Sequence, residues 1–130
     1  MERGHDGQGC AACWPQDAAA AWKARDRLGE DTSVVDESHF IVRILACSAC
    51  GQRFATVTTE QVDWKDGEDP VQRILIPVTP AEAAAVVAGH GSAASIAAID
   101  QSRRSLVQDW PKGEAAKISW SRGIWIGPHD

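Results

Sequence analysis

Four cysteines stand in two pairs, Cys10-Ala11-Ala12-Cys13 and Cys47-Ser48-Ala49-Cys50, with 33 residues between the pairs. Two cysteines three positions apart on a tight turn aim both sulfurs at one point, and two such turns complete a tetrahedron of four thiolates. The chemistry of that donor set is metal binding. Zinc suits it, having no geometric preference from its d electrons; a ferrous ion takes the same four thiolates, so the spacing leaves iron open. Catalytic zinc keeps one position for water, whereas four thiolates close the shell. The expectation is therefore one structural Zn2+ per chain, held by Cys10, Cys13, Cys47 and Cys50. Disulfides would need an oxidising compartment, and the opening residues Met1–Gly7 lack the apolar stretch of a secretory signal. A redox Cys-X-X-Cys would explain one pair and leave the other as coincidence.

Gly51 directly follows Cys50 and permits the left-handed backbone that turns N–H groups toward sulfur. On these residues Cys47-Ser48-Ala49-Cys50-Gly51 resembles the zinc knuckle of zinc-ribbon and treble-clef proteins. The first pair departs from that pattern, with Trp14 where the glycine would stand, and the separation of the pairs exceeds that of compact four-cysteine modules. The resemblance implies a zinc-holding hairpin tip and leaves the remainder of the chain unassigned.

Other residues offer weaker chemistry. Between Glu60 and Asp69 lie five carboxylates. Around Gly67 they faintly resemble a calcium loop, but the register needs a glutamate where Ile74 stands, so a solvated hairpin loop is expected. His39 opens an apolar strand and is the histidine nearest in sequence to the second cysteine pair; a core or edge role is favoured over a hydrogen bond near the metal. His90 lies between two glycines, with no serine or cysteine assigned as its partner. Arg103-Arg104 reads as part of a solvated helix face. Six tryptophans accompany no tyrosine, and large amphipathic rings serve both cores and interfaces. Trp120 and Trp125 as anchors, with Arg104 at the rim, are the expected partner-binding residues.

These side chains must be positioned by a few elements. Residues 15–28 read as a helix, with Pro15 at its start and Gly29 as its stop, and Ala18, Trp22 and Arg25 on one face. A loop over 30–37 follows. Strands are expected over 39–46 and 53–64, paired as a hairpin with Cys47 and Cys50 at its tip, and over 71–78, where Pro77 favours an edge. Thr79-Pro80-Ala81-Glu82 is a capping box opening a helix that Gly89 ends. A longer helix is expected over 93–108, from the period of Ile96, Ile99, Leu106 and Val107. The tail alternates at Ile118 and Trp120, then at Ile124 and Ile126, as two short strands. The fold class is α+β: a small antiparallel sheet with a zinc-knuckle hairpin, packed by about three helices. A loose N-terminus is expected over 1–9, and a single metal-stabilised domain over 10–130.

The chain has 130 residues with 13 basic and 18 acidic side chains, a net charge of −5. That balance argues against general nucleic-acid binding, which needs a basic surplus to displace counterions from phosphate. No apolar run is long enough to span a membrane. The expected function is non-enzymatic: a cytoplasmic zinc-binding protein acting through protein–protein contact, of immunity, antitoxin, regulator or adaptor type, with a homodimer as one version. The alternatives are a nucleic-acid-associated zinc-ribbon regulator and a thiol redox or zinc-sensing switch.

Overall fold

A computed structural model describes residues 8–130. The loose segment expected over 1–9 thus lies almost wholly outside the described residues, as does His5. Gly9, at its end, is buried and hydrogen-bonded.

Six strands follow one another across a single antiparallel sheet: β1 (Gly29–Glu37), β2 (Phe40–Ala46), β3 (Arg53–Glu60), β4 (Val71–Val78), β5 (Arg104–Trp110) and β6 (Lys117–Arg122). Three helices accompany it, α1 (Ala18–Ala24), α2 (Pro80–Ala88) and α3 (Ala93–Ala97), so the chain is mixed α+β. None of the described helices is long and apolar enough to cross a membrane.

Side chains alternate along each strand, and the register sorts them into two cores. Val42, Ile44, Ala55, Val57, Ile74, Ile76 and Val107 face one side, where Val86 of α2, Ile96 of α3, Ile99 and Ile124 cover them. Phe54, Leu75 and Leu106 face the other, where they meet Ala21 of α1, Trp14, Cys13 and Cys47. The helix starts are local chemistry. Asp17 caps α1, accepting from Ala20 N at 2.9 Å. Thr79 and Glu82 close the expected capping box on α2, at 3.1 and 2.9 Å, a device worth about 1 kcal/mol.

Where the structure departs from the sequence reading, sheet pairing has overridden local pattern. Residues 30–37, expected as a loop, are most of β1. Their charge suits an edge strand, which needs one protected face at most, and two register shifts bend the strand beside β2. The helix expected over 93–108 stops at Ala97, and Arg104 opens β5, which pairs with β4 from Leu106 on, Leu106 opposite Leu75 and Val107 opposite Ile74. A turn on Asp100, whose carboxylate accepts from Ser102 N and Oγ at 3.0 and 2.6 Å, reverses the chain between them. Arg103 and Arg104 therefore do not lie on a helix.

The first helix is shorter than 15–28, and Gly29 opens β1 rather than ending it. The strand expected to reach Trp64 ends at Glu60, and the second tail strand is absent: after β6, Gly123 turns at φ +74° and sends Ile124 into the core. Pro77 lies in a central strand, yet β5 pairs with β4 only as far as Leu75. At Pro77 the sheet has one partner, β3, so the missing N–H costs no bond there.

Candidate metal centre

The cysteines sit on two turns that meet at one end of the sheet. In the first turn, Cys10 O accepts from Cys13 N at 3.2 Å and Trp14 N at 2.8 Å. It enters through Gly9 at φ +67°, where a Cβ would come within 2.9 Å of Trp14 Cβ and 3.0 Å of Cys13 Sγ. The second turn joins β2 to β3. There Cys47 O accepts from Gly51 N at 2.8 Å, with Gly51 at φ +79°, and Cys47 N donates to Gln52 O at 2.9 Å. Glycine thus serves both turns, but before the first pair and after the second.

Gln52 locks the turns together. Its Oε1 accepts from Gly9 N at 2.9 Å, and its Nε2 donates to Arg53 O and Val78 O at 2.8 and 2.9 Å. It is one of the few buried polar side chains. The sequence reading passed over it, because a glutamine whose partners lie 43 and 26 residues away leaves no local signal.

The four thiols come together. Cys10 and Cys13 sulfurs lie 3.6 Å apart, Cys10 and Cys47 3.9 Å, and Cys13 and Cys50 3.8 Å, and all four lie within 4.8 Å of one another. These separations are too long for disulfides, whose sulfurs bond at about 2.05 Å. They match four sulfurs set tetrahedrally at about 2.3 Å from a common centre, which fall about 3.8 Å apart. The cluster is placed to hold a metal ion.

Cys13 and Cys47 are buried and Cys10 and Cys50 half-exposed. Burial pushes the Cys13 thiol up strongly, with the adjoining thiols adding to it. Burial raises Cys50 as well. At Cys10 burial also pushes upward, but hydrogen bonds from the Cys13 and Ala12 backbone outweigh it and bring the thiol down to about 7. A bare cluster of this kind resists full ionisation, since four thiolates repel in a partly buried site; a dication removes that obstacle and is bound with release of protons.

Trp14 ties the cluster to the sheet. Only 1% exposed, its ring packs on Phe54 at 5.4 Å and edge-on to Trp120 at 5.0 Å. Trp120 is half-buried, and its Nε1 donates to Gln16 O at 2.9 Å. The Arg104 guanidinium lies 3.8 Å over the Trp120 ring. Trp120 and Arg104 therefore belong to the face that carries the metal centre. Trp125 is on the opposite face, 37% exposed, with Nε1 donating to Gln72 Oε1 at 3.0 Å. The three expected partner-binding residues do not form one patch.

His39 is remote from the cysteines. It precedes β2 and Cys47 follows it, a span of about 26 Å of extended chain, and its Nδ1 lies 3.0 Å from Glu60 Oε1. His90 is exposed at the joint between α2 and α3, at φ +53°. Asp63, Asp66 and Glu68 gather their oxygens in the acidic turn, but Lys112 Nζ already stands 3.2 and 2.9 Å from Asp63 and Asp66. Arg103 is structural, its Nη1 donating to Glu82 Oε1 and Pro77 O at 2.6 and 2.8 Å. Set against protein-family models, curated proteins and solved structures, the chain matches none.

Proposed function

We propose that Cys10, Cys13, Cys47 and Cys50 hold one zinc ion per chain in a structural role, and that the protein acts by binding another protein rather than by catalysis. The observation that carries the reading is the set of sulfur separations, 3.6 to 3.9 Å, which fits the tetrahedral shell of four-thiolate zinc. A shell filled by four thiolates keeps no position for a substrate. The ion's work would be to fasten residues 9–24, through Trp14, onto a sheet face that α1 covers only in part. Trp125 supports the protein-binding part: it is a large ring left 37% exposed, in the charge-neutral to slightly basic tail of an acidic chain.

Elemental analysis of protein purified under reducing conditions tests the metal and its identity together, with about one equivalent of zinc expected. Iron at one equivalent would replace zinc, and neither metal would overturn the site. Cys50→Ser should lower the melting temperature well beyond Ser48→Ala, and equal effects would mean that no ion is held. Binding to generic duplex DNA tighter than about 1 µM at physiological salt would overturn the protein-binding reading in favour of a nucleic-acid regulator.

A further inference from the structure

On the face that carries the metal centre, the sheet beyond α1 forms the floor of a cavity of about 290 Å3, near the lower end of the range that takes small molecules. Strand alternation builds that floor. Arg43 of β2 lies opposite Thr56 of β3, and Thr58 of β3 opposite Arg73 of β4, all four on the same face. Trp22 of α1 and Arg25 of the following 3-10 turn form the wall, the Arg25 guanidinium 4.1 Å over the Trp22 ring. Three guanidinium groups thus line one cavity in a chain of net charge −5.

Two carboxylates stand among them, Asp26 at 3.4 Å from Arg25 and Glu30 at 3.0 Å from Arg43. Arg73 has no such partner: among the described residues no carboxylate lies within ion-pair distance, and its Nη1 donates to the neutral Oε1 of Gln108 at 2.6 Å. Burial weakens its hold on the proton, and repulsion from Arg25 adds to that, with Glu60 opposing. Arg25 Nε is buried without a hydrogen-bond partner among the described residues. A half-buried cation beside a second cation, with donors to spare, is stabilised by an oxyanion, which accepts forked hydrogen bonds from guanidinium groups.

We propose that this cavity binds the oxyanion of a small organic ligand, a phosphate or carboxylate group carried on a flat body. Arg25 and Arg73 hold the oxyanion, the Thr56 and Thr58 hydroxyls offer further donors, and the Trp22 ring packs on the flat body. The three arginines come from positions 25, 43 and 73: strand pairing through β3 brings Arg43 and Arg73 to one face, and the packing of α1 and its 3-10 turn over that face adds Arg25.

The test is a titration of the full, metal-loaded chain with AMP, with benzoate and with inorganic phosphate, followed through the arginine Nε–Hε resonances. Saturable shifts of Arg25 and Arg73 with AMP or benzoate, at dissociation constants below about 1 mM, are expected. Tighter binding of AMP assigns a phosphate ligand, and tighter binding of benzoate a carboxylate. Arg73→Gln should weaken binding at least about tenfold, as should Arg25→Gln, whose side chain lies outside the sheet, with the melting temperature of each variant measured beside its affinity. Lys117→Gln, outside the cavity, should change nothing. No saturable shift with any probe up to about 10 mM, or undiminished affinity in Arg25→Gln, would overturn the site. Inorganic phosphate binding as tightly as AMP would overturn the part assigned to Trp22.

Discussion

One face of the sheet is covered by α2, α3 and the chain's last turn; the other by Trp14, α1 and the sulfur cluster. On the first, aliphatic side chains of four strands meet Val86, Ile96, Ile99 and Ile124, with Thr59 and Ser105 as buried polar side chains among the strand residues of that face. On the second, Phe54, Leu75 and Leu106 share the surface with Arg43, Thr56, Thr58 and Arg73, and the covering helix has seven residues. None of the three helices is long enough to be stable alone, so each depends on what it packs against. The first face closes by burial of aliphatic side chains; the second closes over less apolar surface, and the four clustered thiols stand there. The part left uncovered is the arginine-lined cavity.

The widest separation of the two faces should come from metal removal. Four-thiolate zinc contributes on the order of 10 kcal/mol in small zinc peptides; here, with a core already present, a strong chelator is expected to cost about half of that. Hydrogen exchange should show the loss to be one-sided, with residues 9–24 losing protection while α2 and β2–β4 keep theirs. Loss of protection throughout would mean that the cluster holds both faces.

Trp14→Ala and Ile76→Ala compare the faces directly. The first is expected to cost about 3–5 kcal/mol and the second about 2–5 kcal/mol in denaturant unfolding. Only Trp14→Ala should also lower metal affinity, measured by competition with a chelator; equal effects of the two on metal binding would break the distinction. Gln52→Ala should follow at about 1–3 kcal/mol, since it strands the Gly9 N–H and two carbonyls in a buried site.

On the first face an ion pair reports through pH. The Glu82 carboxyl is partly buried, which alone would raise its pKa, but the Arg103 guanidinium and the Thr79 and Asp100 N–H groups hold it below the usual range. The folded chain then binds that proton less readily than the unfolded one. The stabilisation is complete above the ordinary glutamate value of about 4.3 and is lost as pH falls through the lower folded value. Glu82→Gln should remove about 1–3 kcal/mol at neutral pH and flatten the acid limb of the stability profile, with no change in bound metal.

The smallest effect on stability is expected at Trp125. Trp125→Ala should cost about 1 kcal/mol or less of folding stability, far below a buried ring, while weakening partner binding by about 2 kcal/mol. A folded variant that captures its partner at full affinity would remove Trp125 from the interface.

Much of this arrangement is legible in residue order, because it is decided over a few positions. Cysteines three apart, a glycine able to take positive φ and a Thr-Pro-Ala-Glu capping box each act within one turn, and the strand at 71–78 is apolar enough to declare itself. What residue order left hidden depends on partners far along the chain. The helical period over 93–108 is real in the sequence, yet Leu106 and Val107 bury more by pairing with Leu75 and Ile74, and β1 is a strand only because β2 stands beside it. Gln52 has its role because Gly9 and Val78 arrive on either side of it, and three arginines in separate segments line one cavity only after the sheet has formed and α1 has packed on it. Propensity and spacing are properties of a few adjacent residues, whereas burial and charge are shared among groups that meet only when the chain closes on itself; the sequence by itself therefore determined the two cysteine pairs and their turns, and the tertiary structure decided that the pairs meet in one cluster, on which face of the sheet they stand and which part of that face stays open.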